Sequence, residues 1–93
     1  MHYVYLIQSI KYPKEYYVGY SEDLKTRIQG HNNGKSTHAN KFKPWGLVAY
    51  FAFNNIQTAK NYEAYLKTGS GRAFLKKHFL NNQGSLFLRS FPK

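Results

Sequence analysis

The sequence contains no cysteine, which excludes disulfide bonds and zinc sites built from thiolates. Acids are also scarce, since four Asp and Glu stand against 14 Lys and Arg and give a formal net charge of +10. The longest apolar run, Leu47 to Phe53, is the size of a strand and too short to cross a membrane. The start lacks the charged and apolar regions of a signal peptide. We therefore expect a cytoplasmic protein that is not attached to a membrane.

The excess of positive charge indicates a polyanionic partner. A small domain this basic usually meets nucleic acid or an anionic membrane. The membrane alternative requires a long apolar segment or a basic amphipathic helix rich in Trp and Leu, and the sequence offers neither. DNA is therefore the expected partner, branched or damaged DNA and RNA are left open, and no protein partner is implied.

The 93 residues suffice for one domain with one core. Apolar patterning and turn residues predict strands at 2–9, 16–20 and 45–53 and helices at 24–32, 56–67 and 72–80. The Gly69-Ser70-Gly71 break is expected to precede the last helix. This order, β-β-α-β-α-α, favours an α/β (α+β) domain with a three-stranded, mainly antiparallel sheet flanked by helices. We assign residues 1–80 to this domain and residues 81–93 to a C-terminal tail that is either packed or mobile.

Two polar residues share the apolar stripe of the first predicted helix. Leu24 and Ile28 define that stripe, and Arg27 and His31 fall on it at helical spacing. A guanidinium directed toward the protein is costly unless it is paired or faces a polar cleft. The plain alternatives are that Arg27 extends past the sheet or pairs with an acid, and that His31 caps or packs the helix end.

The second predicted helix carries a lone acid on its inward side. Its expected inward stripe comprises Ile56, Ala59, Tyr62 and Leu66. Glu63 falls within that stripe, whereas the other three acids lie in a turn or at a helix start. Magnesium is commonly held by one or two carboxylates together with water and phosphate, so a single Glu is chemically sufficient. The alternative is an internal salt bridge, for example with Arg27.

The segment Tyr16-Tyr17-Val18-Gly19-Tyr20 places Tyr17 and Gly19 on one face of the second strand. The glycine is expected to leave space beside Tyr17 for a phosphate or a neighbouring backbone. A phenol has an ordinary pKa of about 10, so it needs a positive neighbour or a metal to act as a base. Each tyrosine taken alone is equally well explained as a packed core residue.

The ordered set of motifs resembles the GIY-YIG endonuclease family, as a small standalone member. Tyr3-Val4-Tyr5 matches the first family motif with Tyr3 in place of Gly, and Tyr17-Val18-Gly19 matches the second. Arg27 and His31 are similar to the helix motif, and Glu63 falls where the family keeps its metal-binding Glu. The resemblance covers roughly residues 2 to 80. A late asparagine found in many members has no counterpart here, and its position lies near Leu75.

The resemblance implies a role for each catalytic candidate on one face of the sheet. Tyr17 would be the general base or would position the water, and Tyr5 would support the nucleophile or the phosphate. Arg27 would stabilise charge on phosphorus, and His31 would assist proton transfer. Glu63 would hold one Mg²⁺ or Mn²⁺ ion.

The leading hypothesis is thus a metal-dependent endonuclease that cuts DNA with low sequence specificity. The chain has no room for the recognition domain of larger members, so binding would rest on phosphate contacts. The candidates for these contacts are Lys35, Lys41, Lys43, Arg72, Lys76 and Lys77. The alternatives are a catalytically weak nucleic-acid binding module on the same scaffold and, less favoured, a basic protein associated with RNA.

Overall fold

The structure is a three-stranded antiparallel sheet with helices on both faces. It is a computed structural model that describes residues 1–34 and 40–80, so Lys35 and the predicted tail at 81–93 lie outside the described residues. The strands are β1 (His2–Ser9), β2 (Tyr16–Ser21) and β3 (Trp45–Phe53), in the sheet order β2-β1-β3. The helices are α1 (Leu24–Asn32), α2 (Ile56–Leu66) and α3 (Gly69–Leu75), and a π-helical turn (Lys76–Leu80) follows α3. This architecture confirms the predicted fold class and element order.

The central strand β1 is apolar on both faces because both are covered. Val4 and Leu6 point to one face and Tyr5 and Ile7 to the other, and all four have 0% of their surface exposed. A strand with a neighbour on each side and helices above and below has no solvent face, so alternation with polar residues is lost. The side chains on the two faces of β1 therefore belong to two separate apolar clusters.

The two clusters assign each helix to a face of the sheet. On the face of Val4 and Leu6, α2 and α3 contribute Ala59, Leu66 and Leu75. On the face of Tyr5 and Ile7, α1 contributes Leu24 and Ile28, which are only partly buried. The larger cluster thus lies under α2 and α3, while α1 covers its face more thinly.

Side-chain caps set where the first two helices begin. The Asp23 carboxylate accepts the backbone N–H of Thr26 at 3.1 Å, and the Asn55 side chain accepts that of Thr58 at 3.0 Å. Such caps satisfy amides that have no partner within the helix. Gly34, with a φ of 75°, ends the turn after α1 in the left-handed region that favours glycine.

The prediction that the last helix begins at Arg72 was wrong, because α3 begins at Gly69. The Thr68 hydroxyl accepts the backbone N–H of Gly71 at 3.1 Å and so starts the helix before the glycines. Gly71 is buried, and a Cβ there would overlap the backbone of Leu66 at the end of α2. The glycine that looked like a helix break is therefore the point where α3 approaches α2 most closely.

Ile56 also departs from the prediction, since it is 48% exposed rather than directed inward. It is the first residue of α2, directly after the cap Asn55, and takes no part in the cluster beneath the helix. Further along the same helix Ala59 and Leu66 are buried, as the stripe predicts. Among the described residues, no helix is both long and apolar enough to cross a membrane.

The end of α1 is fixed to the start of β3 by one side chain. Asn32 accepts the backbone N–H of Trp45 at 2.6 Å and donates its own amide to the carbonyl of Trp45 at 3.2 Å. This two-point contact imitates strand pairing and fixes both the position and the rotation of the helix end. The neighbouring His31 is thereby held over the sheet.

Candidate active site

Three aromatic rings from β1, β2 and α1 converge on the face of the sheet that α1 covers. The ring centroids of Tyr5 and Tyr17 are 6.3 Å apart, and that of His31 lies 6.0 Å from the first and 5.1 Å from the second. The Tyr5 hydroxyl and Nε2 of His31 form a hydrogen bond of 3.0 Å. Tyr5 is fully buried, whereas Tyr17 is 41% exposed. The cluster therefore presents one phenol to solvent above a buried, hydrogen-bonded pair.

Gly19 makes this convergence possible. It pairs with Tyr5 across the β1–β2 ladder, and a Cβ on Gly19 would overlap the hydroxyl end of Tyr5. The Tyr17 ring would also lie in close contact with that Cβ. The predicted space beside Tyr17 thus exists, but the structure fills it with the phenol of Tyr5 rather than leaving it open for a phosphate.

Gly19→Ala is therefore expected to displace the Tyr5 hydroxyl from His31. The added methyl group should destabilise the fold by about 1–3 kcal/mol, the usual cost of overpacking, and should reduce any activity that needs this pair. Gly69→Ala is the matched control, because a Cβ there meets no atom within 4 Å. Thermal unfolding of the two variants checks the prediction, and an equal midpoint for both would contradict it.

The buried pair is electrically neutral near neutral pH. Burial raises the pKa of Tyr5 to about 12, with smaller contributions from Tyr17 and Glu63, while a hydrogen bond from Arg27 and then the Arg27 charge oppose the rise. Burial, followed by the Arg27 charge, holds the pKa of His31 below its ordinary value. A neutral phenol and a neutral imidazole can each donate or accept in their shared hydrogen bond. The pair is thus suited to passing a proton.

Arg27 lies at an exposed position of α1, a helix that has no buried residue. Exposure spares its charged group most of the cost of desolvation, while the guanidinium remains within hydrogen-bonding reach of the Tyr5 hydroxyl and lowers the pKa of that phenol. The guanidinium is still close enough to Tyr5 and His31 to shift the pKa of both. Within residues 1–34 and 40–80 it has no carboxylate within 4.0 Å. Arg27 is therefore a cation at the rim of the ring cluster that interacts with Tyr5 and has no carboxylate partner in the described chain.

Glu63 lies on a helix that covers the face of the sheet opposite the ring cluster. This corrects the expectation that all five catalytic candidates converge on one face of the sheet. Glu63 belongs to α2, which packs on the face of Val4 and Leu6 and also contacts the edge strand β2. Its carboxylate adds to the rise in the pKa of Tyr5. The electrostatic influence of Glu63 thus extends around β2 to the ring cluster.

The partner of Glu63 is Lys67 and not Arg27. The Lys67 Nζ lies 3.0 Å from Oε2 of Glu63, one helical turn away, and the Glu63 side chain is 19% exposed. The same ammonium lies 5.9 Å from the centre of the Tyr17 ring. The spacing of four residues between Glu63 and Lys67 is the sequence signal that indicates such a pair.

The chemistry of Glu63 fits a hard divalent cation held mainly by water and substrate. The ammonium of Lys67 already demonstrates that a cation is favourable at this carboxylate. Among the described residues, no three His, Asp or Glu side chains form a group that encloses a metal by themselves. Mg²⁺ and Mn²⁺ can bind with so few protein ligands, because phosphate oxygens and water complete their coordination.

The two departures from the family motifs lie outside the ring cluster. Tyr3, which stands in place of the motif glycine, packs edge-on against Tyr50 with 5.9 Å between ring centroids. Leu75, at the position expected for the late asparagine, is fully buried in the cluster with Val4 and Leu6. Leu75 therefore serves the core, and Tyr3 forms an aromatic contact toward the β3 edge.

The lysines and arginines proposed to contact phosphate are on the surface wherever the structure describes them. The exposed residues of this set are Lys41, Lys43, Arg72, Lys76 and Lys77. They fall in two separate segments, one before β3 and one along α3 and the π-helical turn. The second segment lies near the turn between β1 and β2, where it borders a groove with Tyr17.

Comparisons with known proteins agree with this arrangement. The family model described as the GIY-YIG catalytic domain matches residues 1–78. A UPF0213 protein of Streptococcus pyogenes serotype M3 is 32% identical over 72 residues, covering 76% of this chain and 76% of its own. The UPF0213 protein in the ldhD 5′ region of Pediococcus acidilactici is 37% identical over 71 residues, covering 73% of this chain and 70% of its own. No solved structure matches significantly. The chain belongs to the GIY-YIG catalytic domain family.

Proposed function

We propose that the protein is a divalent-metal-dependent endonuclease that hydrolyses DNA phosphodiester bonds with low sequence specificity. Family membership supports a nuclease-type activity. The observation that carries the proposal is the placement of Arg27, a cation without a carboxylate partner in the described chain, beside the neutral Tyr5–His31 pair. An unpaired guanidinium next to proton-transfer groups is what a phosphate undergoing attack requires.

The roles of the ring cluster follow from its exposure and hydrogen bonding. In hydrolysis, the oxygen of water bonds to phosphorus, the bond to the leaving oxygen breaks, and the proton of the water is removed. Tyr17, the exposed phenol, is placed to orient that water or to take its proton. Tyr5 holds the ring of His31, and His31 relays the proton. Arg27 stabilises the charge that accumulates on the phosphate oxygens.

Glu63 is the residue that would hold Mg²⁺ or Mn²⁺. The bound ion would supply Lewis-acid polarisation of the phosphoryl oxygen and stabilisation of the leaving group. Lys67 contacts Oε2 of this carboxylate at 3.0 Å, so a metal held by Glu63 would share the carboxylate with Lys67 or replace it. The Lys67 ammonium also lies 5.9 Å from the centre of the Tyr17 ring, where a positive charge favours loss of a phenolic or water proton.

The charge of the chain supports low sequence specificity. With a net charge of +10 on 93 residues, the affinity for DNA is dominated by phosphate contacts and counterion release. Such contacts position a protein on the duplex without identifying bases. Binding should therefore weaken steeply with salt and vary little among duplex sequences.

A catalytically weak binding module is the second candidate. The observation that favours it is the ion pair between Glu63 and Lys67, because this pair explains the carboxylate as an ordinary helix-stabilising group on α2. This candidate shares the basic surface with the endonuclease but requires no metal. The two therefore differ in metal dependence and not in DNA affinity.

A plasmid-nicking assay separates the two candidates. We expect the purified protein to convert supercoiled plasmid to the nicked form with Mg²⁺ or Mn²⁺ and to stop when EDTA is added. Binding to the same plasmid should persist in EDTA, because it depends on the lysines and arginines. A protein that binds but leaves the plasmid supercoiled with either metal would establish the binding module instead.

A further inference from the structure

A basic groove runs beside the candidate active site, on the far side of Tyr17. Its volume is about 410 Å³, and its floor is formed by residues of β2 and by the end of α2. Four of its nine lining residues are cations, against the single acid Glu15, and these cations are Lys14, Lys67, Arg72 and Lys76. The groove therefore has a positive local potential.

The cations of the groove come from separate segments of the chain. Lys14 lies in the turn between β1 and β2, Lys67 follows α2, Arg72 is in α3, and Lys76 begins the π-helical turn. Within the part of the chain that the structure describes, Lys14, Arg72 and Lys76 have no carboxylate within 4.0 Å. Folding thus brings three cations without a carboxylate partner together with Lys67, which pairs with Glu63, and this excess of positive charge favours an anionic ligand.

The groove is continuous with the candidate site through two residues. Tyr17 borders the groove and also belongs to the ring cluster with Tyr5 and His31. Lys67 lines the groove while its ammonium holds the carboxylate of Glu63. An anion in the groove would therefore lie next to a phosphate bound at Tyr17.

We propose that this groove binds the backbone phosphates of the DNA strand that flank the cleaved phosphate on the side of α3. The inference rests on the proposed function and deepens it, because it states where the strand continues beyond the reacting group. Lys14 and Lys67 enter the binding surface as new members, and Arg72 and Lys76 acquire a defined site. Lys77 and Lys11 do not line the groove, although each lies in the same segment as a lysine that does.

Two double variants provide a matched comparison. Lys14→Gln with Lys76→Gln removes two charges from the groove, and Lys11→Gln with Lys25→Gln removes two charges from exposed positions outside it. Binding of a short labelled duplex is measured by fluorescence anisotropy across a salt series in EDTA. The groove variant should lower the slope of log affinity against log salt by about two units, at roughly 0.9 per lost phosphate contact. The control variant should lower it by less than half as much.

The outcomes are separable from those of the nuclease proposal, because this binding assay contains no metal. Equal slopes for the two double variants would overturn the groove, even if the protein nicks plasmid. A selective loss in the groove variant would support it, even if no cleavage is found. Unfolding midpoints close to that of the wild type confirm that both variants are folded.

Discussion

Glu63→Gln is expected to lower the rate of plasmid nicking by about a thousandfold or more. The change removes the charge that would hold the metal, and a thousandfold corresponds to roughly 4 kcal/mol of transition-state stabilisation. DNA affinity in EDTA should not fall, because Glu63 is an acid and its loss releases Lys67 to the basic surface. The measurement is the initial nicking rate of wild type and variant at equal Mg²⁺ concentration.

Stability distinguishes this role from a purely structural one. A partly exposed ion pair one helical turn apart contributes only about 0.3–0.5 kcal/mol, so the unfolding midpoint of Glu63→Gln should barely change. Glu22→Gln is the control, since it removes another of the four acids, one that lies at the end of β2 beside His2 and Tyr20. Wild-type nicking by Glu63→Gln would remove this residue from the site.

Arg27→Ala should lower turnover by about a hundredfold to a thousandfold, the usual cost of losing one contact to developing charge. Because its guanidinium has no carboxylate partner in the described chain, its removal leaves no buried charge behind and should not unfold α1. Arg27→Lys should recover only part of the activity, since an ammonium lacks the planar fork that contacts two phosphate oxygens. The values to compare are kcat and KM, with the loss expected mainly in kcat.

Lys25→Ala is the matched control for this change. It removes one positive charge from the same helix, at an exposed position that the ring cluster does not contact. A general effect of net charge would weaken both variants equally and would appear in KM. Full turnover by Arg27→Ala would show that the guanidinium is an ordinary surface group.

Local sequence signals predicted most of the fold because they act over short distances. The caps Asp23 and Asn55 satisfy amides within one turn, and the double-sided apolar pattern of β1 follows from its central position. The start of α3 was predicted wrongly because Gly69 and Gly71 are typical of a break between helices. The Thr68 cap, which starts the helix before them, is the weaker signal in the sequence. Gly71 is there for close helix packing, which only the tertiary structure reveals.

The candidate site was predictable as a set of residues but not as a geometry. Helical spacing placed Arg27 near His31, yet the exposure of Arg27 depends on how thinly α1 covers the sheet. No local pattern indicates that Glu63 approaches from the opposite face, since this depends on which face α2 covers. The place of Lys14 in the groove cannot be predicted from the sequence either, because the turn that carries it lies near α3 only in the folded chain.

The central claim is that groups from both faces of the sheet form one metal-dependent site around the edge strand β2. A titration of the wild-type protein with Mn²⁺, followed by paramagnetic broadening of its NMR signals, tests this claim without requiring activity. We expect the signals of Glu63, Tyr17 and His31 to broaden together, and Glu63→Gln to abolish the effect on all three. Broadening that is confined to other residues, or that persists unchanged in Glu63→Gln, would contradict a metal site formed around β2.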